Sequence, residues 1–186
     1  MLKGDVRPGK GTILIAEPFM KDQYFKRSVV LIAEHNEEGT VGFILNHEID
    51  LKLKDVLPEI GDNNASLFLG GPVQRDNLFY VHTIGDIIPD SIPVTDGVWW
   101  GGDFEAVKEM VRRGEVKMEH IRFFIGYSGW VPGQLEEEMG NDSWIVTAAK
   151  QKHILLPFDK LWGTVLKSMG KNYAEIANYP EDPSLN

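Results

Sequence analysis

The residues best equipped for chemistry fall in one run of the C-terminal third. It reads Gly126-Tyr127-Ser128-Gly129-Trp130-Val131-Pro132-Gly133-Gln134-Leu135-Glu136, then Glu138, then Asn141-Asp142-Ser143-Trp144. Gln134, Glu136 and Glu138 beside Trp130 and Trp144 make a polar and aromatic group able to line a cleft. Buried there, a glutamate's pKa rises and it can work as a general acid or base. Left in solvent, the same glutamates are a hydrated face and the tryptophans serve packing. Ser128 is the weaker candidate. A nucleophile elbow needs glycine two residues after the serine, where Trp130 stands and obstructs the turn. A glycine-rich tight turn is the expectation for residues 126–129.

A second pairing lies near the N-terminus. Asn36-Glu37-Glu38-Gly39 marks a hairpin loop between apolar runs at Val29 to Ala33 and Val41 to Leu45. With four loop residues, His35 faces Thr40 and partner numbers sum to 75. That register sets Val29 opposite Asn46 and Ser28 opposite His47, close enough for a serine–imidazole hydrogen bond. The alternative is that Ser28 opens one strand and His47 closes the next.

No HExxH or short two-histidine spacing occurs, so no metal site is assigned. Each of His35, His47, His82, His120 and His153 is expected in a hydrogen-bonded structural role. Glu34, His35, His82 and Glu136 remain the candidates for acid–base catalysis. Gly70-Gly71-Pro72-Val73 follows a strand, but Pro72 removes a backbone donor and no phosphate-loop motif follows, which favours an unusual turn. Trp99-Trp100-Gly101-Gly102 either stacks on a ligand or sends a ring into the core.

These residues need a scaffold of strands and short helices. Thr12 to Ala16, Ser66 to Leu69, Leu78 to Ile84, Val98 to Trp100, Ile121 to Tyr127 and Trp144 to Ala148 read as strands. Leu51 to Leu57 reads as a helix stopped by Pro58. Asp103 caps a helix running to Arg113. Pro132 opens an acidic helix to Met139. Phe158, Leu161, Trp162, Val165, Leu166 and Met169 form the packed face of a last helix ended by Gly170. The uneven order of strands and helices favours an α+β fold, a mixed or antiparallel sheet of complex topology with flanking helices. One domain spanning 1–186 is expected, with loose tails at 1–10 and 171–186.

Composition removes several function classes. The chain holds 186 residues, no cysteine and a net charge of −9. Disulfides and thiolate chemistry are excluded, and a core can form without staples. Lys21, Lys26 and Arg27 offer a small basic spot, or a solvated loop, in a chain whose acidity disfavours nucleic acid. No run approaches a membrane span or a signal-peptide core, so a soluble cytoplasmic protein is expected.

Taken together, Phe25-Lys26-Arg27-Ser28-Val29-Val30, Glu34-His35, Gly42, Asn46, Gly70 to Val73, His82, and Gly126 to Glu138 with Trp144 resemble the YqgE/AlgH family of bacterial proteins. The likeness runs from Gly11 to about Gly170. It departs at His47-Glu48-Ile49, which sets the Ser28–His47 pair outside any family mechanism. The resemblance implies an α+β fold and carries the label of a transcriptional regulator, although no helix-turn-helix or basic recognition helix is legible. It favours a non-enzymatic regulatory or binding protein acting through a protein partner or a small ligand, with no cofactor. Ser28, Asn46, Gly71, Trp130, Gln134, Glu136, Glu138 and Trp144 are the binding candidates. The alternative is a hydrolase built on the carboxylate and histidine group.

Overall fold

The computed structural model describes Gly4, residues 6–155 and residues 157–181. Among the described residues ten strands and six α-helices follow one another: β1 (Thr12–Ala16), β2 (Val29–Asn36), β3 (Gly39–Ile44), β4 (Glu48–Lys52), α1 (Leu53–Val56), β5 (Ser66–Leu69) and β6 (Val73–His82). After these come β7 (Ile92–Thr95), β8 (Val98–Trp100), α2 (Phe104–Arg112), β9 (Ile121–Trp130), α3 (Gln134–Gly140), β10 (Trp144–Ala148), α4 (Gln151–Leu155), α5 (Leu161–Ser168) and α6 (Lys171–Ile176). The architecture is α+β. One ten-stranded sheet runs β10-β1-β2-β3-β9-β6-β8-β7, with the β4–β5 pair joined to it at β9.

The apolar runs of β1 and β2 do not alternate because both faces are covered. Ile13, Ile15, Val29, Leu31 and Phe43 pack against Leu161, Trp162, Val165 and Leu166 of α5. Leu14, Ala16, Val30, Ile32 and Ile44 meet Trp130, Leu135 and Trp144 on the other side. A third cluster sets Leu67, Tyr80, Ile121 and Phe123 against Val107 and Val111 of α2. That helix begins as expected, with Asp103 accepting from Ala106 N at 3.1 Å.

β9 organises the sheet. One edge pairs with β6 from Ile121 to Tyr127. The other edge is shared, in parallel with β5 at Phe123–Ile125 and antiparallel with β3 at Ser128–Trp130. The partner changes at Gly126, whose φ is +67°. Gly70 fills the junction: its N–H donates to Ile125 O at 2.9 Å, and its carbonyl accepts from Ile44 N and Ser128 Oγ, each at 2.9 Å. The turn expected at residues 126–129 is therefore strand, and its glycines serve a change of partner. Ser128 is buried in that bond and exposes no nucleophile.

The hairpin also differs from expectation. His35 faces Thr40 and Asn36 faces Gly39, so the loop is the two residues Glu37-Glu38. A bulge between Ile32 and Glu34 then shifts the register, pairing Leu31 with Phe43 and Val30 with Ile44. One extra residue on β2 is enough to separate Ser28 from His47.

Three ends move. Leu51 belongs to β4, and α1 begins only at Leu53. The last expected helix divides into a 3-10 turn at Phe158–Lys160 and α5. Part of the expected C-terminal tail is α6, fixed by burial of Ile176, and Gly4 of the expected N-terminal tail bridges Val146 and donates to Tyr173 Oη at 3.2 Å. Residues 1–3, 5 and 182–186 of those tails lie outside the described residues. No helix among the described residues is long and apolar enough to cross a membrane.

Candidate functional site

The polar and aromatic group does assemble, but as an internal clasp. Trp130 and Trp144 are 4% and 2% exposed. Both indoles donate from Nε1 to Glu138 Oε2, at 3.0 and 2.8 Å. Gln134 Nε2 donates to the other carboxylate oxygen at 3.1 Å, and Gln134 Oε1 accepts from Val131 N. Phe25 closes the cluster, 5.4 Å from the Trp144 ring and 5.9 Å from Trp130. Glu138 thus pins α3 over the sheet, and its acceptor capacity is spent on buried donors. The tryptophans therefore serve packing, while Glu136 and Glu137 remain exposed on α3.

Of the acid–base candidates, only His35 and Glu136 come together. His35 Nδ1 shares a hydrogen bond with Thr40 Oγ1 at 2.7 Å, and its Nε2 lies 3.8 Å from the exposed Glu136. Glu34 lines an open hollow of about 390 Å³ with Thr40, Val41, Val73 and Tyr127. His82 sits at the far end of β6 from Val73. It is buried, with Nε2 2.9 Å from Gly101 O and 3.3 Å from Ser91 Oγ, and its ring stacks 6.4 Å from Trp99. Burial lowers its pKa and keeps it neutral. Trp100 is partly buried and packs against the core, its ring 5.7 Å from Phe43. Gly71 is no phosphate cradle, since a Cβ there would meet the Tyr127 carbonyl at 2.2 Å. No group of three or more His, Cys, Asp or Glu able to hold a metal occurs among the described residues.

Ser28 and Asn46 mark a better-built site. Asp22 Oδ1 accepts from Tyr24 N and Phe25 N, and this turn delivers Arg27 to the start of β2. Arg27 has φ +52°, an unusual conformation for a residue with a side chain. Asn46 holds it there: its Oδ1 accepts from Val29 N and its Nδ2 donates to Arg27 O, both at 2.9 Å. The Arg27 guanidinium lies 4.6 Å over the Trp162 ring and donates to Tyr179 O.

Two adjoining hollows share Arg27 and Asn46 in their walls. One, about 370 Å³, adds Asp159, Lys160, Trp162, Lys167 and Glu181. The other, about 230 Å³, adds Tyr24, Lys26, Ser28 and His47. Ser28 and His47 therefore share a hollow, yet Ser28 Oγ is buried without a hydrogen-bond partner and the serine–imidazole pair does not form. Arg27 Nε is likewise without one. Buried polar atoms are almost always satisfied, so two orphans bordering one cleft call for an explanation. Of the residues lining these hollows, Lys26, Arg27, Ser28 and Asn46 stand out in the sequence, whereas Lys160 and Lys167 do not and Trp162 reads only as a packing residue. Their helical spacing marks them only as part of an amphipathic segment, and nothing local signals that α5 docks beside Asn46.

The sequence and the fold as a whole match one class of known proteins. The AlgH-like family model (DUF179) matches residues 13–174. The chain is 43% identical to a UPF0301 protein of Cytophaga hutchinsonii, over 95% of this chain and 98% of that one. It is 41% identical to one of Parabacteroides distasonis, over 98% and 93%. Among solved structures it is similar to protein DIP2367 of Corynebacterium diphtheriae (TM-score 0.79, 26% identity, 94% of each chain). It is also similar to the AlgH protein of Pseudomonas aeruginosa (TM-score 0.73, 25% identity, 95% and 97% covered). The chain belongs to the AlgH-like, UPF0301 family.

Proposed function

We propose that this chain is a non-enzymatic regulatory protein of the cytoplasm that binds a small ligand in the cleft around Arg27 and Asn46. The observation that carries the proposal is the pair of adjoining hollows that share Arg27 and Asn46 in their walls, with Ser28 Oγ and Arg27 Nε buried without partners just behind that wall. A backbone held at φ +52° beside them is the kind of strain that gathers at binding sites. The hydrolase alternative draws less support, because Glu34, His35, His82 and Glu136 surround no common cavity. Direct reading of DNA is disfavoured by the charge of −9 and by the short, acidic or amphipathic character of the helices.

The test is thermal unfolding against nucleotides, flavins, acyl carriers, sugar phosphates and metals. A ligand at 100 times its Kd contributes ~2.7 kcal/mol, which raises Tm by roughly 5–10 °C at this chain length. A shift that Asn46→Ala removes is the expected result. A flat panel, or a shift untouched by that substitution, would overturn the proposal and direct attention to a protein partner.

A further inference from the structure

We infer that the ligand group received by this cleft is a phosphoryl group, and that the chain's own C-terminal segment competes for its place. This deepens the proposed function and rests on it. The argument begins with charge. The two hollows are lined by Lys26, Arg27, Lys160 and Lys167 against Asp159 and Glu181, a local balance of +2 in a chain of −9. Cations gathered against the overall charge of a protein create a local positive field in a concave, partly desolvated setting. A phosphate ester, at about −1.5 to −2 near pH 7, offsets that balance where a carboxylate offsets only half.

Hydrogen bonding points the same way. An acceptor-rich ligand suits the exposed ammonium groups in these walls, Lys26, Lys160 and Lys167, and it reaches the partnerless Ser28 Oγ–H and Arg27 Nε–H only once the side chains that bury them move aside. Arginine and serine beside lysines are a common donor set for phosphate. Asn46 contributes by fixing the Arg27 backbone, its Oδ1 accepting from Val29 N and one Nδ2 N–H donating to Arg27 O.

The residues now meeting these cations come from beyond α6. Glu181 Oε2 lies 3.7 Å from Lys26 Nζ, and the Tyr179 carbonyl accepts from Arg27 Nη2. Tyr179 in turn stacks on Phe19 at 5.8 Å, which lays the segment across the cleft. A carboxylate and a carbonyl thus occupy positions that phosphoryl oxygens would claim. Both Lys26 and Glu181 are well exposed, so their pairing is weak and a ligand can displace it.

The test is isothermal titration calorimetry of the full chain with inorganic phosphate and pyrophosphate, with acetate as the carboxylate arm. The expected result is binding of phosphate and pyrophosphate in preference to acetate, weakened by salt. Glu181→Gln is expected to tighten it by roughly two- to five-fold, the worth of an exposed ion pair. Lys167→Gln, a surface change that leaves the Arg27–Trp162 contact in place, is expected to weaken it by a similar factor or more. Acetate binding as tightly as phosphate overturns the phosphoryl assignment, and Glu181→Gln leaving affinity unchanged overturns the competition. No heat with either phosphate probe sinks the inference altogether. The proposed function survives that last outcome if an uncharged panel member still raises Tm through Asn46.

Discussion

Replacing Glu138 with alanine tests the clasp most directly. Its carboxylate accepts from two indole N–H groups that are otherwise sealed from water, Trp130 at 3.0 Å and Trp144 at 2.8 Å. Each buried donor left unsatisfied costs about 1–3 kcal/mol. Glu138 itself is only half-buried, so water entering the vacated space can satisfy one of the two. The expected loss is therefore about 1–3 kcal/mol, which corresponds to a fall in Tm of roughly 2–12 °C. Glu138→Gln discriminates acceptor from charge. Both indoles meet the same oxygen, so an amide carbonyl in that place retains both bonds, and the loss should stay near ~1 kcal/mol. The assay is urea unfolding followed by tryptophan fluorescence, with far-ultraviolet circular dichroism as the second probe. If Glu138→Ala costs less than ~1 kcal/mol, or glutamine is as damaging as alanine, the clasp is not what holds α3 to the sheet.

Two further outcomes follow from the packing. Gly71→Ala drives a Cβ to 2.2–2.3 Å from the Tyr127 and Ser128 backbone, where no side chain can give way, so β9 must shift. A loss above ~2 kcal/mol in denaturant unfolding is expected, and a loss below ~0.5 would contradict this close approach. His153 is buried and its pKa is pushed down to about 4, chiefly by burial and then by Lys152 and Lys150. The unfolded chain, titrating near 6.5, binds the proton that the fold refuses. Stability from this group is complete above pH ~6.5 and is lost as pH falls toward ~4, by up to ~3 kcal/mol. Burial of His82 acts in the same direction. Unfolding of His153→Leu at pH 7 and pH 5 should show a shallower pH slope than the parent. Equal slopes would refute the assignment.

Much of the scaffold was legible because local signals and tertiary demands agreed. Asp103 caps α2 as its type requires, and the β1 and β2 runs read as doubly covered strands because they are. The misreadings have physical causes. A bulge between Ile32 and Glu34 leaves no mark in an apolar run, yet it re-aims everything beyond it toward the hairpin base. Glycine density at 126–129 signals backbone freedom without saying whether it serves a turn or a strand changing neighbours. Glu48-Ile49-Asp50-Leu51-Lys52 is too polar to announce a strand, and it becomes one by pairing with β5. At the site, Ser28 and Asn46 stood out by position, and the tryptophan–glutamate group by composition. Lys26 and Arg27 showed as a small basic spot, but Lys160 and Lys167 did not stand out, since the docking of α5 beside Arg27 is a long-range outcome that no window of sequence contains.

The sheet order also sets a timetable for synthesis. β1 needs β10 on its outer edge, and Thr12–Ala16 pairs there with residues 144–148. Trp162 Nε1 then seals the end by donating to Ala16 O at 2.9 Å. About 130 residues separate the two strands, roughly 6–25 s of elongation at about 5–20 residues per second. Throughout that interval the nascent chain carries Ile13, Leu14 and Ile15 on a strand whose outer backbone groups are unpaired. Such an edge is a template for another chain. The protein's dependence on chaperones while leaving the ribosome should therefore exceed that of the finished fold, and truncations ending before Trp144 should aggregate rather than fold.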